Sequence, residues 1–139
     1  MESKTPIIAV DFDNCLNFGT YDTDPNKCTY EPNVKLIEAL KEFRVAGGKV
    51  ILWTCRSGLH LKDAVIKCAE QGLYFDAVNT DVPEIYLFFT EFGSPKVFAH
   101  LYLDDRGTYP PKINTDEAIT AISNLITSFT IMPMKVKKR

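Results

Sequence analysis

The sequence has no apolar run long enough to cross a bilayer, and we therefore expect no membrane partner. Its first residues, Met1 to Pro6, lack the basic and apolar regions of a signal peptide. The 139 residues include four cysteines but no C-x-x-C pair or other zinc-type spacing. These absences predict a cytoplasmic protein with free thiols.

A strong charge of one sign is also absent. The formal net charge is −2, with 24% charged and 45% hydrophobic residues, which does not support binding to nucleic acid or anionic lipid. The only basic run lies in residues 131–139, which we interpret as a solvated tail, with a nucleic-acid contact as the less favoured alternative. The length and the lack of internal repeats predict one domain, residues 1–139, with a single core.

The first apolar run is short and leads directly into two acidic residues. Ile7–Val10 has the continuous apolar character of a strand buried on both faces. Asp11 and Asp13 follow where this strand should end, at the edge of an open α/β sheet where ligands usually bind. Because residues two apart in extended backbone point the same way, these carboxylates should share a site and repel each other. A Mg²⁺ ion, which favours carboxylate and water oxygens, would relieve that repulsion.

Strand-like and helix-like patterns alternate along the rest of the chain, which predicts an α/β fold. The expected architecture is three-layered and Rossmann-like, with a central, mainly parallel sheet and no large cap domain. Residues 17–30 are rich in turn-forming residues and could form a flap. Segment 82–92 fits a helix, a strand or a partner-facing patch. Further strands are predicted at 49–53, 75–79 and 97–103, and helices at 33–46 with Asn33 as cap and Gly47-Gly48 as stop, at 59–71, and at 115–129 with Asn114 as cap.

Polar side chains are predicted to stand at the ends of three strands. Because the carboxyl ends of parallel strands share one edge, these groups can converge there, together with one lysine that precedes the last strand. Carboxylates, a hydroxyl and an ammonium match phosphoryl transfer to an aspartate better than other reactions. The residues are Asp11, Asp13, Thr54, Lys96, Asp104 and Asp105.

The same residues resemble the motifs of the haloacid dehalogenase-like (HAD) superfamily. Asp11-Phe12-Asp13 looks like its D-x-D signature, and Trp53-Thr54-Cys55-Arg56 is similar to its second motif. Lys96 fits the third motif and Leu103-Asp104-Asp105 the fourth, in the family's order along the chain. The resemblance is closer to the small, capless phosphatases of bacteria and phages, which combine such motifs with runs like Asp76-Ala77-Val78-Asn79.

The resemblance implies a role for each matching residue. Asp11 would be the nucleophile and a Mg²⁺ ligand, and Asp13 the general acid/base, with its backbone carbonyl also reaching the metal. Asp104 would complete the metal site, and Asp105 would ligate through water or orient Lys96. The phosphate-binding set would comprise Thr54, Cys55, Arg56 and Lys96, although Arg56 could instead form a salt bridge with Asp105, and Cys55 could be simple filler.

The chain departs from the family pattern after the second aspartate. Asn14 and Cys15 stand where the family usually has glycine and threonine. Asparagine tolerates a positive φ, so we expect Asn14 to support the turn, whereas the lost threonine hydroxyl removes a hydrogen bond to Asp13. Because there is no cap, we expect the loops 17–30 and 82–95 to shape the entrance to the site. A homo-oligomer is an open alternative, in which a second subunit would contribute to the entrance.

The expected function is Mg²⁺-dependent hydrolysis of a small phosphoester or pyrophosphate through an aspartyl phosphate. A nucleotide, a sugar phosphate or a nucleic-acid end would present the same phosphoryl group. Two alternatives stay open: a phospho-accepting domain like that of response regulators, and a catalytically silent interaction domain.

Overall fold

The fold is built on a small parallel sheet. The computed structural model describes residues 5–83, 85, 95–107 and 109–137, with side chains described as far as residue 129. All strands pair in parallel, in the order β3-β2-β1-β4, so their carboxyl ends share one edge. This confirms the α/β class, and the described part of the chain contains no large cap domain. The strands are β1 Ile7–Val10, β2 Lys49–Leu52, β3 Ala77–Val78 and β4 Leu101–Leu103, and the helices are α1 Val34–Val45, α2 Gly58–Glu70 and α3 Thr115–Lys137.

Strand β1 lies at the centre, and all four of its residues are buried. Its alternate side chains point to opposite faces, as extended backbone requires. Ile8 and Val10 join a core with buried residues of α1, α2 and α3. Ile7 and Ala9 join a second cluster, which includes Val82, Ile85 and Val97. Both faces of the sheet are thus covered, as a strand made only of apolar residues predicts.

The N-terminal cap and the C-terminal glycine stop predicted for α1 are both confirmed. The Asn33 side chain accepts a hydrogen bond from the Leu36 N–H at 3.5 Å, and Gly47 after the helix has φ 102°. The buried face of α1 comprises Leu36, Ile37, Leu40 and Phe43, whereas Val34 is exposed.

Strand β4 is shorter than predicted and covers only Leu101–Leu103. Upstream of it the His100 N–H still donates to the Ile7 carbonyl at 2.8 Å, but other backbone groups bond to side chains. The Tyr102 hydroxyl donates to the Val97 carbonyl at 2.6 Å, and the Phe98 N–H donates to an Asp81 carboxylate oxygen at 2.6 Å. His100 Nδ1 accepts from the Ile7 N–H at 3.0 Å, which gives this histidine a structural role. Side-chain competition of this kind is invisible in the apolar pattern.

Helix α3 is longer than predicted. Its backbone stays helical as far as Lys137, so residues 131–137 continue the helix instead of forming a separate tail. No glycine follows Phe129 to provide the stop that Gly47 and Gly72 provide after the first two helices. Residues 138–139 and most of segment 82–92 lie outside the described residues. Within the described chain, no helix has both the length and the apolar character needed to cross a membrane.

Replacing Asn33 with alanine should destabilise the protein much more than the same change at Asn114. Both residues cap helices, but Asn33 is 6% exposed, and its amide also donates to the Cys15 carbonyl at 2.8 Å and to Thr115 Oγ1 at 2.9 Å. Asn114 is exposed and caps only α3. We expect a loss of about 2–3 kcal/mol for Asn33→Ala against about 1 kcal/mol for Asn114→Ala, measured by urea unfolding. Equal losses would contradict the bridging role of Asn33.

Candidate functional site

Three carboxylates meet at the carboxyl edge of the sheet. Asp11 directly follows β1, and Asp104 and Asp105 directly follow β4, the strand that pairs with it. One carboxylate oxygen from each residue lies within 4.8 Å of the others. The parallel pairing of two strands that are distant in sequence therefore produces an acidic cluster, defined here as Asp11, Asp104 and Asp105.

Asp105 is the most buried member of the acidic cluster, with only 3% of the residue exposed. Its Oδ2 accepts a hydrogen bond from Asn14 Nδ2 at 3.2 Å and lies 3.9 Å from Nε of the exposed Arg106. Its Oδ1 is also buried and has no hydrogen-bond partner among the described residues. A buried carboxylate oxygen without a partner carries a large desolvation cost, which a bound cation would offset.

The crowding of negative charge changes how these groups ionise. Burial raises the pKa of Asp11 to about 7, with further contributions from the neighbouring Asp105 carboxyl group and the negative charge of Asp104. Burial also raises the pKa of Asp104. Burial opposes ionisation of Asp105 as well, but its interactions with the neighbouring carboxyl groups of Asp104 and Asp11 and its hydrogen bond from Asn14 outweigh burial and lower its pKa. Asp11 is thus the carboxylate whose ionised form most needs a nearby positive charge.

The turn after Asp13 depends on Asn14. Asn14 has φ 60°, the left-handed conformation that asparagine tolerates better than most residues, as predicted. Its N–H donates to the Asn17 carbonyl at 2.8 Å, and its own carbonyl accepts from Ile113 N–H at 3.0 Å. The side chain is then free to reach Asp105, so this residue both forms the turn and supports the acidic cluster.

The two cysteines nearest the site differ in environment. Cys15 is buried, and its thiol donates a long hydrogen bond, 3.8 Å, to the Leu103 carbonyl. Burial first, and then the negative charge of Asp11, raise the pKa of Cys15 far above its usual range, so this thiol is inert filler. Cys55 is exposed in the loop after β2, so its interpretation as filler is wrong, and its contact with a phosphoryl group stays a prediction.

Thr54 is positioned by Asn79, a residue to which the family resemblance assigns no role. The Thr54 N–H donates to Asn79 Oδ1 at 2.8 Å, and Thr54 Oγ1 accepts from the Arg56 N–H at 3.1 Å. Asn79 itself has φ 54° and donates from its N–H to the Leu52 carbonyl at 2.8 Å. Asn79 closes the Asp76–Asn79 run that contributed to the family resemblance, and this was the available signal for its positioning role.

Asp13 and Arg56 bind each other. Arg56 Nε and Nη2 donate to the two carboxylate oxygens of Asp13, both at 2.8 Å. The alternative of a salt bridge between Arg56 and Asp105 is wrong, because the guanidinium is committed to Asp13. The Asp13 side chain is consequently not part of the acidic cluster, and metal ligation through its backbone carbonyl stays a prediction.

Lys96 lies next to β4 but is exposed. Its ammonium lies 4.7 Å from the centroid of the Tyr102 ring, a cation–π contact with β4, the strand that Asp104 and Asp105 follow. Its contact with a phosphoryl group stays a prediction.

Two solved structures are similar to this chain. A conserved protein from Bacteroides thetaiotaomicron is 28% identical, with a TM-score of 0.63 over 86% of this chain and 91% of that one. A hypothetical protein from Xanthomonas campestris is 16% identical, with a TM-score of 0.53 over 98% of this chain and 88% of that one. No protein-family model matches the sequence, and no curated protein matches it. The comparisons therefore support the fold and name no activity.

Proposed function

We propose that this protein is a Mg²⁺-dependent phosphohydrolase of the HAD type that acts through an aspartyl phosphate at Asp11. The observation that carries the proposal is the acidic cluster, three carboxylates within 4.8 Å of one another, in which the buried Asp105 Oδ1 has no partner among the described residues. Such an oxygen destabilises the fold when no metal is bound, and it can act as a ligand when a metal is present.

The donor set suits Mg²⁺ better than a softer metal. Asp11, Asp104 and Asp105 offer only carboxylate oxygens, and neither of the described histidines belongs to the cluster. The bound ion would supply charge neutralisation, which lets an anionic phosphoester approach an anionic nucleophile. The same charge would keep Asp11 ionised at neutral pH despite its raised pKa.

The chain's own residues then divide the reaction into two displacements. Asp11 Oδ1 accepts a hydrogen bond from the Phe12 N–H at 2.7 Å, which orients the carboxylate so that Oδ2 can attack phosphorus. Asp13 is paired as a carboxylate with Arg56, so it must first take up a proton from water. The P–O bond to the leaving group then breaks as this protonated Asp13 gives its proton to the leaving oxygen. In the second displacement Asp13 takes a proton from water, which attacks phosphorus and breaks the bond to Asp11. Thr54 and Lys96 bind the phosphoryl oxygens throughout.

The substrate of the proposed reaction is a phosphorylated compound, and the proposed location is the cytoplasm. The described part of the chain contains no large cap domain over this edge of the sheet, which favours an open entrance. An open entrance admits a nucleotide, a sugar phosphate or pyrophosphate, and it also admits a nucleic-acid end.

A panel of phosphoesters tested with Mg²⁺ and with EDTA examines the proposal directly. We expect repeated turnover of p-nitrophenyl phosphate only with Mg²⁺, measured as released phosphate, and a Mg²⁺-dependent rise in melting temperature of several degrees. A single slow phosphorylation from a small donor would favour a response-regulator-like domain. Binding of Mg²⁺ without any hydrolysis across the panel would overturn the proposal in favour of a silent interaction domain.

A further inference from the structure

Arg56 is a buried charged side chain near the site, and most of its N–H groups form hydrogen bonds. Only 2% of its side chain is exposed, and four of its five N–H groups are accounted for by hydrogen bonds. Two go to the Asp13 carboxylate, one goes from Nη1 to the Tyr30 hydroxyl at 3.4 Å, and one goes from Nη1 to the His60 carbonyl at 3.3 Å. A two-point fork of this kind fixes the plane of the carboxylate as well as its position.

Aromatic rings enclose the same guanidinium. Its central carbon lies 4.7 Å from the ring centroid of Phe12, 5.2 Å from that of Tyr21 and 5.7 Å from that of Tyr30. Phe12 belongs to the D-x-D segment, whereas Tyr21 and Tyr30 belong to residues 17–30, the segment called the flap below. The rings shield the guanidinium from water, whereas 30% of the Asp13 side chain stays exposed.

The two ends of the flap hydrogen-bond to each other, and the middle of the flap is bound to α2. The Thr29 N–H donates to the Thr20 carbonyl at 2.9 Å, and a Cβ at Gly19 would lie 2.1 Å from the Thr29 carbonyl oxygen, so only glycine fits there. His60 Nε2 donates to the Asp22 carbonyl at 2.9 Å, and its ring lies 4.9 Å from the Tyr21 ring. Arg56 and His60 thus tie the flap to the first turn of α2 and to Asp13.

We propose that Arg56 is a positioning residue that anchors the flap and orients the Asp13 carboxyl group, which takes up a proton from water and gives it to the leaving oxygen. The positioning of Asp13 rests on the proposed function, since it presumes that Asp13 is the acid/base. The anchoring role concerns the flap alone and holds for the protein whatever its activity. Arg56 does not itself touch the reacting atoms in this assignment.

A second forked arginine–aspartate pair provides a matched control. Arg44 Nε and Nη2 donate to the Asp76 carboxylate at 3.1 and 2.9 Å. Asp76 precedes β3, so this pair lies at the amino edge of the sheet, opposite the acidic cluster. Substitutions of Arg44 therefore report the general cost of losing such a pair, without the positioning effect.

The kinetic test compares Arg56→Met and Arg56→Lys with Arg44→Met, using two esters with different leaving groups. p-Nitrophenolate leaves without protonation, whereas the alkoxide of glycerol 2-phosphate needs a proton. We expect Arg56→Met to lower kcat/KM for glycerol 2-phosphate about 10²-fold or more, and for p-nitrophenyl phosphate by less than about tenfold. Arg56→Lys should restore part of the loss, and Arg44→Met should change neither substrate. Equal losses for both esters would overturn the positioning role.

The flap test uses limited trypsin digestion of the full-length protein and needs no activity. Lys27 lies in the flap and is exposed, so cleavage after it reports opening of this segment. We expect cleavage at Lys27 to be about tenfold faster or more in Arg56→Met than in Arg44→Met. Similar rates in both variants would overturn the anchoring role. If the unaltered protein hydrolyses no ester, the proposed function and the role of Arg56 in positioning Asp13 are both wrong. The digestion rates still show whether Arg56 anchors the flap.

Discussion

The Asp11→Asn variant should release no measurable phosphate from p-nitrophenyl phosphate and should remain folded. Asparagine is nearly the same size and can still accept the hydrogen bond from the Phe12 N–H, but its amide cannot form an acyl phosphate. We expect a loss of at least about 10³-fold in kcat, the order expected when a nucleophile is removed. The measurement is phosphate release with saturating Mg²⁺, with circular dichroism to verify the fold. Turnover at the parent's rate would show that Asp11 is not the nucleophile.

The same variant should be more stable than the parent in metal-free buffer above neutral pH. The pKa of Asp11 is raised from 3.8 to about 7 in the folded protein, so between these values the folded state holds a proton that the unfolded state has lost. The parent therefore loses stability as the pH rises through this window. The Asp11→Asn variant has no such loss, and we expect its melting temperature at pH 8 with EDTA to exceed the parent's by roughly 2–6 °C. The difference should vanish below about pH 4. A constant difference across this pH range would contradict the assigned pKa.

The Asp105→Asn variant should bind Mg²⁺ far more weakly than the parent. Asp105 is the buried member of the acidic cluster, and its unpartnered Oδ1 is the oxygen best placed to gain from a cation. Losing it should cost at least the roughly 10–100-fold in affinity that is typical of a residue that only supports a metal ligand. Isothermal titration with Mg²⁺ measures this affinity, and turnover at limiting Mg²⁺ should fall in parallel.

Asp116→Asn is the control for Asp105→Asn. Asp116 is exposed in the first turn of α3 and is not part of the acidic cluster, so the variant loses the same formal charge elsewhere. We expect Mg²⁺ affinity close to the parent's. If both variants bind Mg²⁺ equally well, the acidic cluster is not the metal site and the proposed function loses its main support.

Stability and activity are expected to change in opposite directions at Asp11. Its negative charge is costly in the metal-free fold because burial and the carboxylates of Asp104 and Asp105 disfavour it. The same charge is what a nucleophile and metal ligand must carry. A residue that weakens the fold it belongs to is typical of a functional site.

Much of the fold could be predicted from local patterns. The buried strand Ile7–Val10, the Asn33 cap and the glycine stop at Gly47 each depend on a few neighbouring residues, and each is confirmed. The ends of elements were less accurate. Strand β4 is shortened by the Tyr102 hydroxyl and the Asp81 carboxylate, and α3 runs past Phe129. These boundaries depend on competing contacts that the apolar periodicity does not contain.

The sequence by itself determined that carboxylates would stand at the ends of two strands, because a parallel sheet brings strand ends to one edge whatever surrounds them. Only the tertiary structure decided which of them share the acidic cluster. Asp13 lies two residues from Asp11 but binds Arg56, which is 43 residues away, and Asp105 is buried against Asn14, which is 91 residues away. The direction and burial of a side chain depend on partners distant in sequence, and periodicity carries no information about them.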